Sequence, residues 1–260
     1  MRCEVQNGFV FIALDDDVVP LSESVAPLAR DYGELAPEGL QLISRESYHA
    51  RCNWKLMVEA FIESYHVPTV HPKTALKTVI PHSTVFRLHP GGNNAMFNPL
   101  RPEVIAGQAE GDNNWTATAS LPTIPTETDF YTDNLAVIFA FPNTWATLDR
   151  VGHVVLTWWP LAIDRTRMDV QWYGLPWGDG PMPPQWTERV AGTDVTMHED
   201  IANLEPMQLA VESAAHKGVP LSYTERAIWH FHREIDRRLG DENVPDHLRL
   251  PDALAGHIVD

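Results

Sequence analysis

The chain has 260 residues, 44% of them hydrophobic, enough for one domain with a full core or one domain and a fragment. A formal net charge of −16 argues against nucleic acid and anionic membranes as partners and suits a basic protein such as an electron carrier. No apolar run is long enough to span a bilayer, no signal-like segment opens the chain, and Cys3 and Cys52 form no disulfide pattern, so a reducing cytoplasm is the expected location.

In chain order, Asn7-Gly8 precedes a short apolar run and predicts the second strand of a hairpin over residues 5–14. Asp15, Asp16 and Asp17 follow, as a solvated strand exit or a cation site. Ser22 can cap a short helix over 22–30, and residues 39–50 alternate as a strand.

Residues 53–67 contain no Gly or Pro, and Trp54, Met57, Phe61 and Tyr65 recur at steps of three and four. That spacing predicts a helix with one buried stripe, ended near His66 by Pro68. His71 follows five residues later. On a straight helix the two imidazoles would point about 140° apart, but a break at Pro68 can bring them to one point, where a carboxylate from a distant helix would complete a metal site. Two histidines at this spacing among 12 also arise by chance. Glu63 lies three residues before His66, one turn away, where it can hydrogen-bond that ring or simply face solvent.

After a helix or loop at 73–79 and a strand at 84–88, His89-Pro90-Gly91-Gly92-Asn93-Asn94 is turn chemistry. Residues 102–128 are polar and rich in Pro, Gly and Thr, a long loop. Runs at 135–141, 144–148, 153–161 and 168–174 are close enough to form an antiparallel meander. A helix is expected over 187–215, bent or broken at Pro206. It carries Glu199 and Asp200, whose side chains should point about 100° apart. The last helix, 223–239, has Ala227, Phe231 and Ile235 on one stripe and ends at Gly240. Its His230 and His232 are expected to pack rather than bind metal.

The run Asn53-Trp54-Lys55, then Glu59-Ala60-Phe61-Ile62-Glu63-Ser64-Tyr65-His66, then four residues and His71-Pro72, closely resembles the iron-site signature of Rieske non-haem iron oxygenase alpha subunits, the ring-hydroxylating oxygenases and their monooxygenase and demethylase relatives. Phe141-Pro142-Asn143 is similar to the end of that family's central strand. The resemblance implies an α+β, helix-grip (START-like) catalytic domain over residues 26–260. Residues 1–25 would be the C-terminal remnant of a Rieske domain. It implies Fe(II) held by His66, His71 and Asp200, and Glu63 as the acid that links an iron ligand to the cluster of a neighbouring subunit in a trimer. Many ring dioxygenases have Asp there, so Glu63 leans toward the monooxygenase branch. Glu59 and Tyr65 are read as structural, and residues 102–128 as bordering the substrate channel.

The chain departs from the family in one respect. A Rieske [2Fe–2S] cluster needs Cys-x-His and Cys-x-x-His ligands, and neither Cys3 nor Cys52 has a histidine at those offsets. The expectation is a truncated oxygenase, or one whose cluster sits on another polypeptide. Electrons would come from NAD(P)H through a reductase or ferredoxin, and O₂ would be used to oxidise an aromatic or small organic substrate. Two other readings stay open: a zinc or manganese hydrolase with the same three ligands, and a metal-free helix-grip carrier of hydrophobic ligands.

Overall fold

The computed structural model describes residues 1–15, 17–26, 28, 29, 35, 39–106, 121–126 and 129–259. Strands β1 (Arg2–Gln6) and β2 (Phe9–Ala13) form an antiparallel hairpin. Asn7 and Gly8 take φ of 50° and 80°, the left-handed pair that a two-residue turn needs to match strand twist. Asp15 accepts a hydrogen bond from the Asp17 N–H in an exposed turn, and Asp16 lies outside the described residues. Helix α1 (Leu21–Ser24) is capped by Pro20, not Ser22, which falls inside it. The fixed φ of proline already sets the chain for helix entry.

Seven strands make the main sheet: β3 (Gln41–Ala50), β4 (Val85–Leu88), β5 (Asn94–Pro99), β6 (Asn134–Ala140), β7 (Thr144–Asp149), β8 (Gly152–Ala162) and β9 (Arg165–Gly174). Their spatial order is β3-β9-β8-β7-β6-β5-β4, antiparallel throughout. The meander therefore runs from β4 to β9, two strands beyond the predicted four, and β3 closes beside β9. Strand β5 was hidden in the sequence because Asn94, Asn98 and Pro99 interrupt its apolar residues.

Both faces of the sheet are covered, so its central strands are mostly apolar on both sides. On β6, Val137 and Phe139 face one core with the helices, and Ala136, Ile138 and Ala140 face a second core that Phe9 and Phe11 of the hairpin join. Helices α2 (Trp54–Phe61), α6 (Pro184–Val211) and α7 (Arg226–Leu239) cover the first face. Short turns α3 (Val67–Val70), α4 (Pro102–Ile105) and α5 (Phe130–Asp133) complete the described helices used below. The arrangement is the helix-grip α+β fold expected. Of the predicted 102–128 loop, α4 takes the beginning, and residues 107–120, 127 and 128 lie outside the described residues.

Helix α6 runs in one piece through Pro206, so of the expected bend or break the break does not occur. Ala202, whose carbonyl loses its helical partner, and Pro206 are both exposed, so water can satisfy the group. The helix is also pinned on each side of the proline. Leu204 is buried, Arg51 pairs with Glu205, and Gln208 Oε1 accepts from the Asn53 N–H at 2.8 Å. Further up, Tyr48 donates to Asp194 at 2.8 Å and Trp172 to Thr193 at 3.3 Å, and Arg189 pairs with Asp149 at 2.5 Å. On α7, His230 is buried with Nε2 against the His89 carbonyl at 2.7 Å, and His232 pairs with Glu59 at 2.7 Å, so both histidines serve packing as expected.

Candidate metal centre

Helix α2 starts at Asn53, whose side-chain oxygen caps the Lys55 N–H at 3.0 Å and whose amide donates to the Ile163 carbonyl at 2.7 Å. It stops at Phe61, five residues short of the predicted end. The indole of Trp145 takes the Phe61 carbonyl at 2.7 Å. The Glu63 carboxylate takes the backbone N–H groups of Tyr65 and His66, so a side chain replaces the next helical bonds. The break therefore precedes His66. Tyr65 is consequently exposed, not part of the buried stripe.

A single new turn, α3, then begins at His66 and ends at His71, which are its N-terminal and C-terminal caps. Pro68 sits in its first turn, where a missing N–H costs nothing. Instead of ending a helix, the proline helps start one. The two histidines bracket this turn with their ring centroids 5.1 Å apart.

Asp200 reaches them from the middle of α6. Its Oδ1 lies 2.9 Å from His71 Nε2 and 3.7 Å from His66 Nε2. One donor atom from each of the three residues falls within 4.8 Å of the others, and among the described residues this is the one group of three or more that can hold a metal ion. His71 and Asp200 are buried and His66 is half-buried.

Each imidazole is held from behind. His66 Nδ1 contacts Glu63, and His71 Nδ1 contacts Glu199 Oε2 at 2.7 Å, where Thr74 also donates at 2.5 Å. A carboxylate only accepts, so both Nδ1 atoms carry protons and both Nε2 lone pairs face Asp200. An Nε2 lone pair 2.9 Å from a carboxylate oxygen is repulsive unless a proton or a cation lies between them. The direction of the His71 pKa expresses the same demand. Burial works to lower it, but the hydrogen bonds and charges of Asp200 and then Glu199 outweigh burial and hold it above its ordinary value. Glu63 and Asp200 are both buried beside these rings, and among the described residues no Lys or Arg lines the adjoining cavity. A divalent cation fits that donor set and that charge. Two imidazoles and one carboxylate occupy one side of a metal and leave positions open, as in non-haem Fe(II) oxygenases.

Glu199 is the residue that sequence reasoning missed. Neighbours on a helix point about 100° apart, which seemed to remove it from the site. The two nitrogens of one imidazole also point in different directions. Adjacent acids on α6 can therefore reach both, Asp200 at Nε2 and Glu199 at Nδ1. The Glu-Asp pair was the available signal.

A cavity of about 100 Å³ opens beside the three ligands, between α2, α6 and the first face of the sheet. The family model described as "Ring hydroxylating alpha subunit (catalytic domain)" matches residues 37–241. The chain belongs to this family. A carnitine monooxygenase oxygenase subunit from Acinetobacter pittii (strain PHEA-2) is 23% identical over 180 residues, which cover 66% of this chain and 47% of that protein. The toluate 1,2-dioxygenase subunit alpha of Pseudomonas putida is 38% identical over 69 residues, covering 25% and 15% of the two chains. A solved quaternary ammonium Rieske monooxygenase superposes with a TM-score of 0.71 at 17% identity, covering 91% of this chain and 61% of that one. This ring-hydroxylating catalytic domain thus spans about half or less of the length of the curated relatives named here, and shares its fold with the solved one. Among the described residues no helix is long and apolar enough to cross a membrane.

Proposed function

We propose that the chain is the catalytic part of a terminal oxygenase, with one Fe(II) on His66, His71 and Asp200. The observation that carries this reading is the pair of Nε2 atoms aimed at a buried carboxylate oxygen while both Nδ1 atoms are held by other acids. Bound there, Fe(II) would supply O₂ activation at its open positions, leading to hydroxylation, dioxygenation or oxidative demethylation of a small organic molecule. Glu63 holds the proton at His66 Nδ1 and Glu199 the one at His71 Nδ1, which keeps both rings in the ligating tautomer. Phe61, Val137 and Trp145 give the cavity apolar walls that limit water beside the ligands.

Electrons would come from NAD(P)H in the cytoplasm through a reductase or ferredoxin and a Rieske [2Fe–2S] centre. The cluster ligands are not among these 260 residues, so that centre must be carried elsewhere. Residues 1–25, with the β1–β2 hairpin, are assigned to the end of a Rieske domain and residues 26–260 to the catalytic domain. In a homotrimer, Glu63 would lie on the route from one subunit's cluster to the next subunit's iron. Glu63 and the similarity to carnitine monooxygenase subunits favour monooxygenation, while the toluate dioxygenase similarity supports the alternative.

The test loads the protein with Fe(II), adds a chemical reductant and a panel of small substrates, and supplies isotopically heavy O₂. Labelled product in a single turnover, lost in Asp200→Ala, is the expected result. Product carrying oxygen from water, or formed equally well by Asp200→Ala, would overturn the assignment.

A further inference from the structure

We infer that the substrate of this site is a compact uncharged molecule with an apolar body and one hydrogen-bond acceptor, which Thr147 receives. The inference rests on the oxygenase reading for its chemistry, but its observations concern the cavity alone. The apolar walls of the cavity include Phe61, Val79, Met96, Leu135, Val137 and Trp145. At about 100 Å³ the space is of the same order as the ~150 Å³ that accepts benzene in an engineered apolar cavity, which suits a body of about one ring.

Charge decides the class. Among the described residues no Lys or Arg lines the cavity. Strands β6 and β7, which form one wall, belong to a stretch, residues 102–149, that contains neither Lys nor Arg. Its described part holds Glu103, Asp129, Asp133 and Asp149. Of the nearby cations, Arg101 donates its Nε to the Leu76 carbonyl at 2.6 Å, and Lys73 and Lys77 are exposed. A substrate carboxylate would lose its water and meet no side-chain cation among the described residues. A substrate cation would find Glu63 and Asp200, but both are already engaged by His66 and His71.

Polar capacity is equally narrow. The Ser64 hydroxyl donates to the Pro81 carbonyl, Thr196 to the Gly192 carbonyl, and the Asn98 oxygen accepts from Thr84. Thr147 is 3% exposed, lies on the cavity wall, and its hydroxyl donates to nothing among the described residues. A cavity-wall hydroxyl without a protein partner is a group that a bound ligand would satisfy.

The experiment measures binding by calorimetry to protein loaded with redox-silent zinc and to metal-free protein. The probes are toluene, anisole, benzoate and benzylamine, which share one ring and differ in charge and acceptor. On metal-free protein anisole should bind best, toluene about 5-fold weaker, and the two ions at least about 100-fold weaker. Thr147→Val should bring anisole down to toluene while leaving toluene unchanged, and Thr147→Ser should restore the anisole preference. Benzoate or benzylamine binding to metal-free protein as well as anisole does, or an anisole preference that survives Thr147→Val, would overturn the inference. Metal content is measured on the same samples, so a failure of metal binding, which would count against the oxygenase reading, is distinguishable from a failure of probe selectivity.

Discussion

Removing the Glu199 carboxylate should weaken metal binding without touching a metal ligand. Glu199 accepts from His71 Nδ1 at 2.7 Å and from the Thr74 hydroxyl at 2.5 Å, and both donors are 2% exposed. In Glu199→Ala each loses its partner, at about 1–3 kcal/mol apiece when no substitute is found. The Glu199 side chain is 27% exposed, so water can reach part of the vacated space, and the lower end, about 2 kcal/mol in total, is the expected loss of stability. Metal affinity should fall separately, because the His71 ring is no longer fixed with Nε2 toward Asp200. Supporting carboxylates of this kind are worth roughly 10–100-fold in affinity, or about 1.4–2.7 kcal/mol. Glu199→Gln keeps the shape and one acceptor oxygen but not the charge, and should fall near the 10-fold end. Urea unfolding of metal-free protein reads the first effect, and anaerobic competition with a chelator for Fe(II) reads the second. If Glu199→Ala binds Fe(II) within about 2-fold of wild type, the assignment of Glu199 as the residue that positions His71 is wrong.

Two further perturbations follow from named contacts. Burial lowers the His153 pKa from the usual 6.5 to about 4, against a smaller opposing pull from the Asp149 charge. The unfolded chain therefore takes up a proton at this residue first as pH falls. Its contribution is complete above pH 6.5 and is lost down to about pH 4, at a slope of at most about 1.4 kcal/mol per pH unit. Wild type should lose about 3 kcal/mol more than His153→Leu between those limits, and parallel stability curves would contradict this. Gln208→Ala removes the acceptor for the Asn53 N–H, which joins the start of α2 to α6. It should cost about 1–2 kcal/mol in urea unfolding, whereas an unchanged midpoint would mean that water replaces the amide.

The legible parts of the chain were those where one local rule decides. Asn7-Gly8 fixed the hairpin turn, four apolar runs gave the heart of the meander, and Gly240 with φ of 84° ended the last helix. The site was legible as a set of residues but not as a path of the backbone. The 53–67 stretch has helical periodicity throughout. What ends α2 at Phe61 is the Trp145 indole from β7 together with Glu63 folding back on its own chain. The first of these is a long-range contact that no window of sequence contains. Pro206 failed as a helix breaker for a related reason: Leu204, Glu205 and Gln208 hold the helix on both sides of it. Glu199 was discounted by a correct angle applied to the wrong target, since it addresses the back of an imidazole rather than the metal.

The central claim is that His66, His71 and Asp200 hold one ferrous ion with positions left open. Anaerobic Fe(II) titration followed by nitric oxide, read by electron paramagnetic resonance, tests it most directly. One iron per chain should give an iron–nitrosyl signal that disappears in His66→Ala, His71→Ala and Asp200→Ala while the variants remain folded. A signal that persists unchanged in any one of the three variants, or a wild-type protein that takes up no Fe(II), would contradict it.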